Sequence, residues 1–321
     1  MTHEGRGYGK LLLFGEHAAV YGYPALGVGL PWHTDARITP KGSSWKLDQV
    51  PQEFRELVSA LLDRIATEDK ALKGGAVELG SSVPLEAGFG SSAALSVALV
   101  AAAVPGITED IRRWWRVANI LEETFHGTPS GVDAGLAIYR SLTSMQPKPP
   151  DIPAAWKVPI PHEDQLPPLV VGAVRREAST RELVAGLRER RESGDKSVRS
   201  SLETLGGLTV RARQVVTSSH ARGRQIGNLA REAQSVLSEL GLSTPLTDSV
   251  LSLARRAGAL GGKLSGGGGG GAFFAVCEST PDAIKVRDQL RADFGTDDLP
   301  VLSIFRWSAN GLQELEESRA I

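Results

Sequence analysis

The chain has 321 residues, 41% of them hydrophobic, with 36 basic against 37 acidic side chains. That length suits two domains of ordinary size, each able to bury a core, and a net charge of -1 argues against nucleic acid as the main partner. A single cysteine, Cys277, excludes an intrachain disulfide and a cysteine-based zinc site.

The opening MTHEGRGYGK lacks a secretory apolar core, and the longest apolar helix candidate, 91–104, is too short to span a bilayer. A cytoplasmic protein with no membrane partner is the expectation. Next come a short apolar strand, 11–14, and a turn at Gly15 into a polar cluster. Lys10 precedes the strand, and Glu16, His17 and Tyr21 follow it. Polar groups just past a buried strand commonly sit at the mouth of a site. The plain alternatives are a solvated strand end for Lys10 and a satisfied, partly buried histidine for His17.

Residues 31–83 read as strands and a connecting helix. Phe54, Leu57, Val58, Leu61, Leu62 and Ile65 form a helical core stripe over 52–66, an exposed loop follows at 68–75, and 76–79 has strand character. PLEAGFGSSAAL, 84–95, then opens onto the Ala-, Leu- and Val-rich helix. Strand, glycine loop and helix together have the layout of a phosphate cradle. Gly88 and Gly90 let the backbone approach a ligand, and the first helical turn presents unpaired N–H groups that favour anions. Ser91 and Ser92 suit a helix start, and their hydroxyls could equally bind a phosphate or its metal. The sequence is neither GxxxxGK[ST] nor GxGxxG.

EDIRRWWRVANILEETFH, 109–126, places Ile111, Trp114, Trp115, Ala118, Leu121 and Phe125 on one helical face. Glu122 shares that face, since three turns return it almost into register with Ile111, whereas Glu123 points toward solvent. A carboxylate turned to a core needs a partner or a metal. In HGTPSGVD, glycines and proline force a bend from which Asp133 emerges; the plain reading of Asp133 and Ser130 is a turn or a cap.

The proline-rich stretch 144–168 reads as the crossing between domains. After it come a strand, 169–174; Ser179 and Thr180 as caps for a helix at 181–192; two long amphipathic helices within 198–240; and a helix at 247–257. GGKLSGGGGGGAFFAV, 261–276, contains six consecutive glycines beside a strand pattern, which suits a close-approach loop better than a linker. A helix at 281–294, a strand at 299–307 and a short acidic tail complete the chain.

GKLLLFGEHAAVYG, PLEAGFGSSAAL and KLSGGGGGG, in that order, resemble the three motifs of the GHMP small-molecule kinases. Within that superfamily GEHAAVYGYPAL, EETFHGTPSGVD, STRELVAGLRERR and LSELGLSTP are similar to segments of its mevalonate kinases. The resemblance implies an α/β (α+β) architecture. An N-terminal ATP-binding domain with a left-handed βαβ crossover is expected over 1–165, and a C-terminal ferredoxin-like domain over 166–321. It further implies ATP as co-substrate, Mg2+ as cofactor, and phosphorylation of the primary alcohol of mevalonate; a homodimer is left open. By the same resemblance Asp133 is the catalytic carboxylate and Lys10 the lysine beside it, and Ser92 and Glu122 hold magnesium. Glu86, Ala87, Gly88, Phe89, Gly90, Ser91, Ser92 and Ala93 bind the ATP phosphates. Lys10, Glu16, His17, Asp133, Thr180, Ser265 and Gly267 fall on the acceptor side.

The chain departs from the family pattern in four places: Phe89 stands where leucine is usual, Ala134 where the animal enzymes have asparagine, Ser265 for threonine and Gly267 for alanine. A kinase for another small alcohol, a mevalonate diphosphate decarboxylase and a non-catalytic nucleotide sensor are the alternatives. A sensor would need the loop but not the base, and Lys10, Ser92, Glu122 and Asp133 are all present.

Overall fold

The computed structural model describes residues 1–148, 151–160, 166–218 and 222–315. Its first sheet is built on β2 (Ala25–Pro40), which pairs along one edge with β1 (His3–Phe14). On the other edge β2 pairs first with β5 (Thr143–Lys148) and further along with β4 (Gly75–Ser81). β3 (Trp45–Gln49) lies parallel to β4, and β6 (Asp151–Lys157) closes the far side against β5. Helices α1 (Arg55–Glu68), α2 (Ser91–Ala103), α3 (Ile111–His126) and α4 (Val132–Tyr139) accompany this sheet.

β1 begins eight residues before the apolar run that announces it in the sequence. HEGRGYG carries no strand-like alternation because its glycines answer a packing demand. A Cβ at Gly5 would lie 2.1 Å from the Ala98 carbonyl oxygen, and one at Gly7 2.1 Å from that of Ala94. The α2 backbone therefore rests directly on the strand, and the alanine-rich helix, buried over most of its length, is the matching half of that contact.

The second sheet has the order β11-β10-β7-β9-β8 and is antiparallel throughout, built from β7 (Leu169–Val174), β8 (Gly261–Leu264), β9 (Gly271–Val276), β10 (Val301–Ser308) and β11 (Gly311–Glu314). Taken without β11, these strands run 4-1-3-2 in chain order, the ferredoxin-like arrangement. α5 (Thr180–Glu192), α6 (Lys196–Thr217), α7 (Arg222–Glu239) and α8 (Pro245–Ala257) fill the first crossover, and α9 (Thr280–Asp298) the second. LVVGAV in β7 is apolar at every position because both faces are covered. Val171 joins a core shared with Leu11, Phe14, Leu205 and Phe274, while Val170 and Val174 join a core with Val250 and Val286. The core containing Leu11 and Phe274 thus runs from the first sheet into the second.

Several sequence expectations are corrected. Much of the proline-rich stretch is the β5–β6 hairpin at the border of the first sheet, with a register irregularity between Gln146 and Lys148 that accommodates Pro147. Pro149, Pro150 and 161–165 lie outside the described residues, as do 219–221 between the two long helices and the acidic tail from 316 onward. Ile111 is 41% exposed, at the helix start where the apolar stripe has not yet met the core. Ser179 caps α5 by position only, without a side-chain hydrogen bond, and Thr180 is the first helical residue. β11 is an additional strand. Among the described residues no helix is long and apolar enough to cross a membrane.

Candidate active site

The first turn of α2 lies beside the end of the glycine loop, with Gly90 at its cap in the left-handed region (φ 76°). The Lys10 amide donates to the Phe89 carbonyl at 2.8 Å, and the Lys10 side chain runs past Gly90, so β1 and the loop hold each other in register. Phe89 is fully buried and meets Trp32 edge-on at 5.0 Å between centroids. The leucine-to-phenylalanine departure is thereby accommodated by an aromatic neighbour.

Lys10 is only 4% exposed, yet its Nζ reaches Asp133 Oδ1 at 3.2 Å; Asp133, at 35%, stays accessible. Asp133 sits in the first turn of α4, capped by Gly131 (φ 82°). Trp115 fixes that turn: its indole N–H donates to the Gly131 carbonyl at 2.8 Å, and its ring lies where a side chain at Gly135 would be. Ala134 is buried among apolar side chains, a setting in which an amide would need a polar partner of its own.

Glu122 faces inward, as its position on the stripe requires, and is buried. It accepts from Ser92 Oγ at 3.1 Å and from Ser96 Oγ at 2.9 Å. His126, one turn on, brings Nε2 within 3.6 Å of the same carboxylate and 3.4 Å of Ser92 Oγ. Burial, then the nearby Asp133 charge, pushes the Glu122 pKa up to about 8 against the pull of the two hydroxyls. Glu123 is exposed and pairs with Arg64 at 3.5 Å.

Glu16 and Ser265, expected on the acceptor side, each make a contact between the first and third motifs. Glu16 is buried in an ion pair with buried Lys263, whose ammonium also donates to the Leu264 carbonyl at 2.6 Å and sits near the rings of Phe14 and Phe274. Ser265 Oγ accepts from the Leu12 amide at 3.1 Å and donates to the Leu12 carbonyl at 2.8 Å. Both residues are struts joining the first motif to the third. His17 lies above them with an unusual positive φ of 57°. Its Nε2 is 3.2 Å from the Gly267 carbonyl, and burial pulls its pKa down to about 4. A carbonyl partner fixes the proton on Nε2, which leaves Nδ1 as an acceptor.

The third motif lies directly against α5. A Cβ at Gly267 would come 2.1 Å from Thr180 Cγ2, so the alanine usual in the family has no room beside this threonine. Sequence reasoning passed over several residues that the structure brings in. Ser96 follows Ser92 by one turn, a spacing visible in the sequence. Lys263 stood in the third motif, but its partner is 247 positions away. Arg176 lay in no motif.

The residues from 55 to 141 match the family model for the GHMP kinases N terminal domain, and those from 219 to 296 that for GHMP kinases C terminal, together just over half of the chain. The chain belongs to the GHMP kinase family. It is 27% identical over 297 residues to the mevalonate kinase of Thermococcus sibiricus, covering 83% of this chain and 86% of that protein. With the mevalonate kinase of Pyrococcus horikoshii it shares 29% over 298 residues, at the same coverages. The crystal structure of L. major mevalonate kinase in complex with R-mevalonate superposes with a TM-score of 0.77 at 23% identity, over 95% of this chain and 96% of that one. As a GHMP kinase, the protein is an ATP-using transferase whose glycine loop and α2 correspond to the second motif of the family.

The fit of a divalent cation can be judged from the donors. Among the described residues no three His, Cys, Asp or Glu side chains cluster. Ser92 and Glu122 supply two hard oxygens, and a buried carboxylate with a pKa near 8 lacks a compensating cation. That set suits Mg2+, which draws its remaining ligands from water and phosphate.

Proposed function

We propose that the protein transfers the γ-phosphoryl group of ATP to the primary alcohol of (R)-mevalonate, giving 5-phosphomevalonate and ADP. The observation that carries this reading is the Lys10–Asp133 pair at 3.2 Å beside the start of α2. It puts a carboxylate and a cation within reach of whatever the glycine loop holds. The similarity to proteins named mevalonate kinase supports the choice of acceptor. On the same reading the chain divides into an ATP-binding part, 1–165, and a second part, 166–321, with the reactants between them.

An alcohol is a weak nucleophile at neutral pH. Asp133 would accept its proton during attack, and the Lys10 ammonium would stabilise the negative charge that develops. Backbone amides of 86–93 would face the phosphates, helped by the unpaired N–H groups of the first α2 turn. Ser92 and Glu122 would hold Mg2+, which when bound neutralises charge on phosphate oxygens. His17 Nδ1, Thr180 and the Gly267 backbone would contact the acceptor, supported from beneath by Glu16, Lys263 and Ser265.

The test is ADP release from the purified protein with mevalonate, phosphomevalonate and galactose offered in turn. Mevalonate alone is expected to support turnover, and phosphate release coupled to carbon dioxide when mevalonate diphosphate is offered as a fourth substrate would indicate a decarboxylase instead. Asp133→Asn is expected to lower turnover at least about 1,000-fold, equivalent to about 4 kcal/mol, while ATP still binds. Retention of activity within about tenfold would remove Asp133 from the role of base.

A further inference from the structure

Arg176 follows β7 and belongs to none of the three family motifs, yet it joins two of them to α5. Its Nε donates to the Glu86 carbonyl at 2.6 Å, and Nη1 donates to Thr180 Oγ1 at 2.8 Å and to the Gly268 carbonyl at 3.4 Å. The three acceptors belong to the glycine loop, the first residue of α5 and the glycine run. All three are neutral, and among the described residues none forms an ion pair with Arg176. Nη2 takes part in none of these bonds and lies over Gly271, where a Cβ would be 3.0 Å away.

The arrangement around this guanidinium is built rather than incidental. Glu86, whose carbonyl turns to Nε, holds a positive φ of 55° that a non-glycine residue adopts only at a cost. The groups that accept the Arg176 hydrogen bonds are neutral and the Glu86 carboxylate acts on the guanidinium only from beyond ion-pair distance, and carboxylates and phosphates are the groups its fork matches.

We infer that Arg176 is a binding residue for an anionic group of the reactants, either a nucleotide phosphate or the carboxylate of the acceptor. The inference rests on the reading that the 86–93 loop receives ATP and that the acceptor is an acid. Arg176 joins Lys10 as a second cation beside the loop, and it bridges the third motif to the second through one side chain.

The experiment compares the intact protein with Arg176→Gln and Arg176→Lys by calorimetric titration with ATP, ADP and mevalonate at low and moderate salt, alongside KM and kcat. Arg176→Gln is expected to raise at least one dissociation constant tenfold or more, with a weaker salt dependence than the parent protein shows. Arg176→Lys is expected to recover part of the loss. A loss for ATP and ADP assigns the phosphate, and a loss for mevalonate alone assigns the carboxylate. Should Arg176→Gln fail to fold, Arg176→Lys is read in its place, a rise above twofold supporting the inference and a value within twofold overturning it, since lysine cannot hold three acceptors and an anion together. Dissociation constants within twofold of the parent for every ligand, in a variant with unchanged circular dichroism, overturn the inference and leave Arg176 a brace. Binding is measured without turnover. A parent protein that binds ATP but does not phosphorylate mevalonate would therefore refute the proposed acceptor and still leave the Arg176 result readable.

Discussion

Glu16 and Glu122 are both buried carboxylates on the two sides of one site, and they are buried on different terms. Glu16 has an ammonium in direct contact, Lys263, which is as deeply enclosed as itself. Glu122 has two serine hydroxyls, an exposed imidazole edge and, at longer range, Lys10. The first carboxylate has its counter-charge inside the protein, through one oxygen, while Oε2 is left without a hydrogen-bond partner. The second is left with a pKa near 8, and its charge is favourable only when a cation arrives from outside. What separates the two buried acids is whether the positive charge is supplied from within the protein.

The largest effect should come from breaking the internal pair. Lys263→Met leaves the Glu16 carboxylate buried without a counter-charge and is expected to cost about 3–5 kcal/mol in urea unfolding. Adding Glu16→Met should recover most of that loss, because two apolar side chains then fill the same space; a single variant losing under about 1 kcal/mol would contradict the strut. The converse experiment targets Glu122. Its folded pKa lies above the unfolded 4.5, so ionisation opposes folding. The metal-free protein is free of that penalty below about pH 4.5, gains it as pH rises, and carries it fully above about pH 8. In chelator, Glu122→Gln should therefore match the parent at pH 4 and exceed it by on the order of 4 kcal/mol at pH 8. The advantage should vanish when Mg2+ and ATP are added, and a flat difference across pH would refute the account. The smallest effect concerns the strut's upper edge. Gly267→Ala pushes into Thr180 and should cost about 1–2 kcal/mol, read from the melting temperature, with Thr180→Ser restoring part of it.

What the sequence made legible follows the range over which each signal acts. Glu122 on the inner face of α3, the helix after the glycine loop and the glycine run as a close-approach loop are local patterns, and each holds in the structure. β1 was legible only where it is apolar; its glycine-rich half is shaped by a helix some ninety positions on, which no local window contains. The proline-rich stretch misled for the opposite reason. Proline signals a break, but at the border of a sheet with an irregular register it is tolerated within strands. In the site, Lys263 and Ser265 were visible as motif letters, whereas their actual partners, Glu16 and Leu12, depend on the two sheets meeting. Arg176 offered no pattern at all, since each of its acceptors comes from a different segment.

The indole of Trp115 has a reach beyond its own helix. It stands on the same helix as Glu122 and grips the bend that carries Asp133, so the spacing between these two acids is gauged by one rigid ring. Enlarging or shrinking that gauge would move both acids relative to each other at once, without touching either. Trp115 is itself buried, so a change there would act on the two carboxylates from the interior and leave the surface around them unaltered.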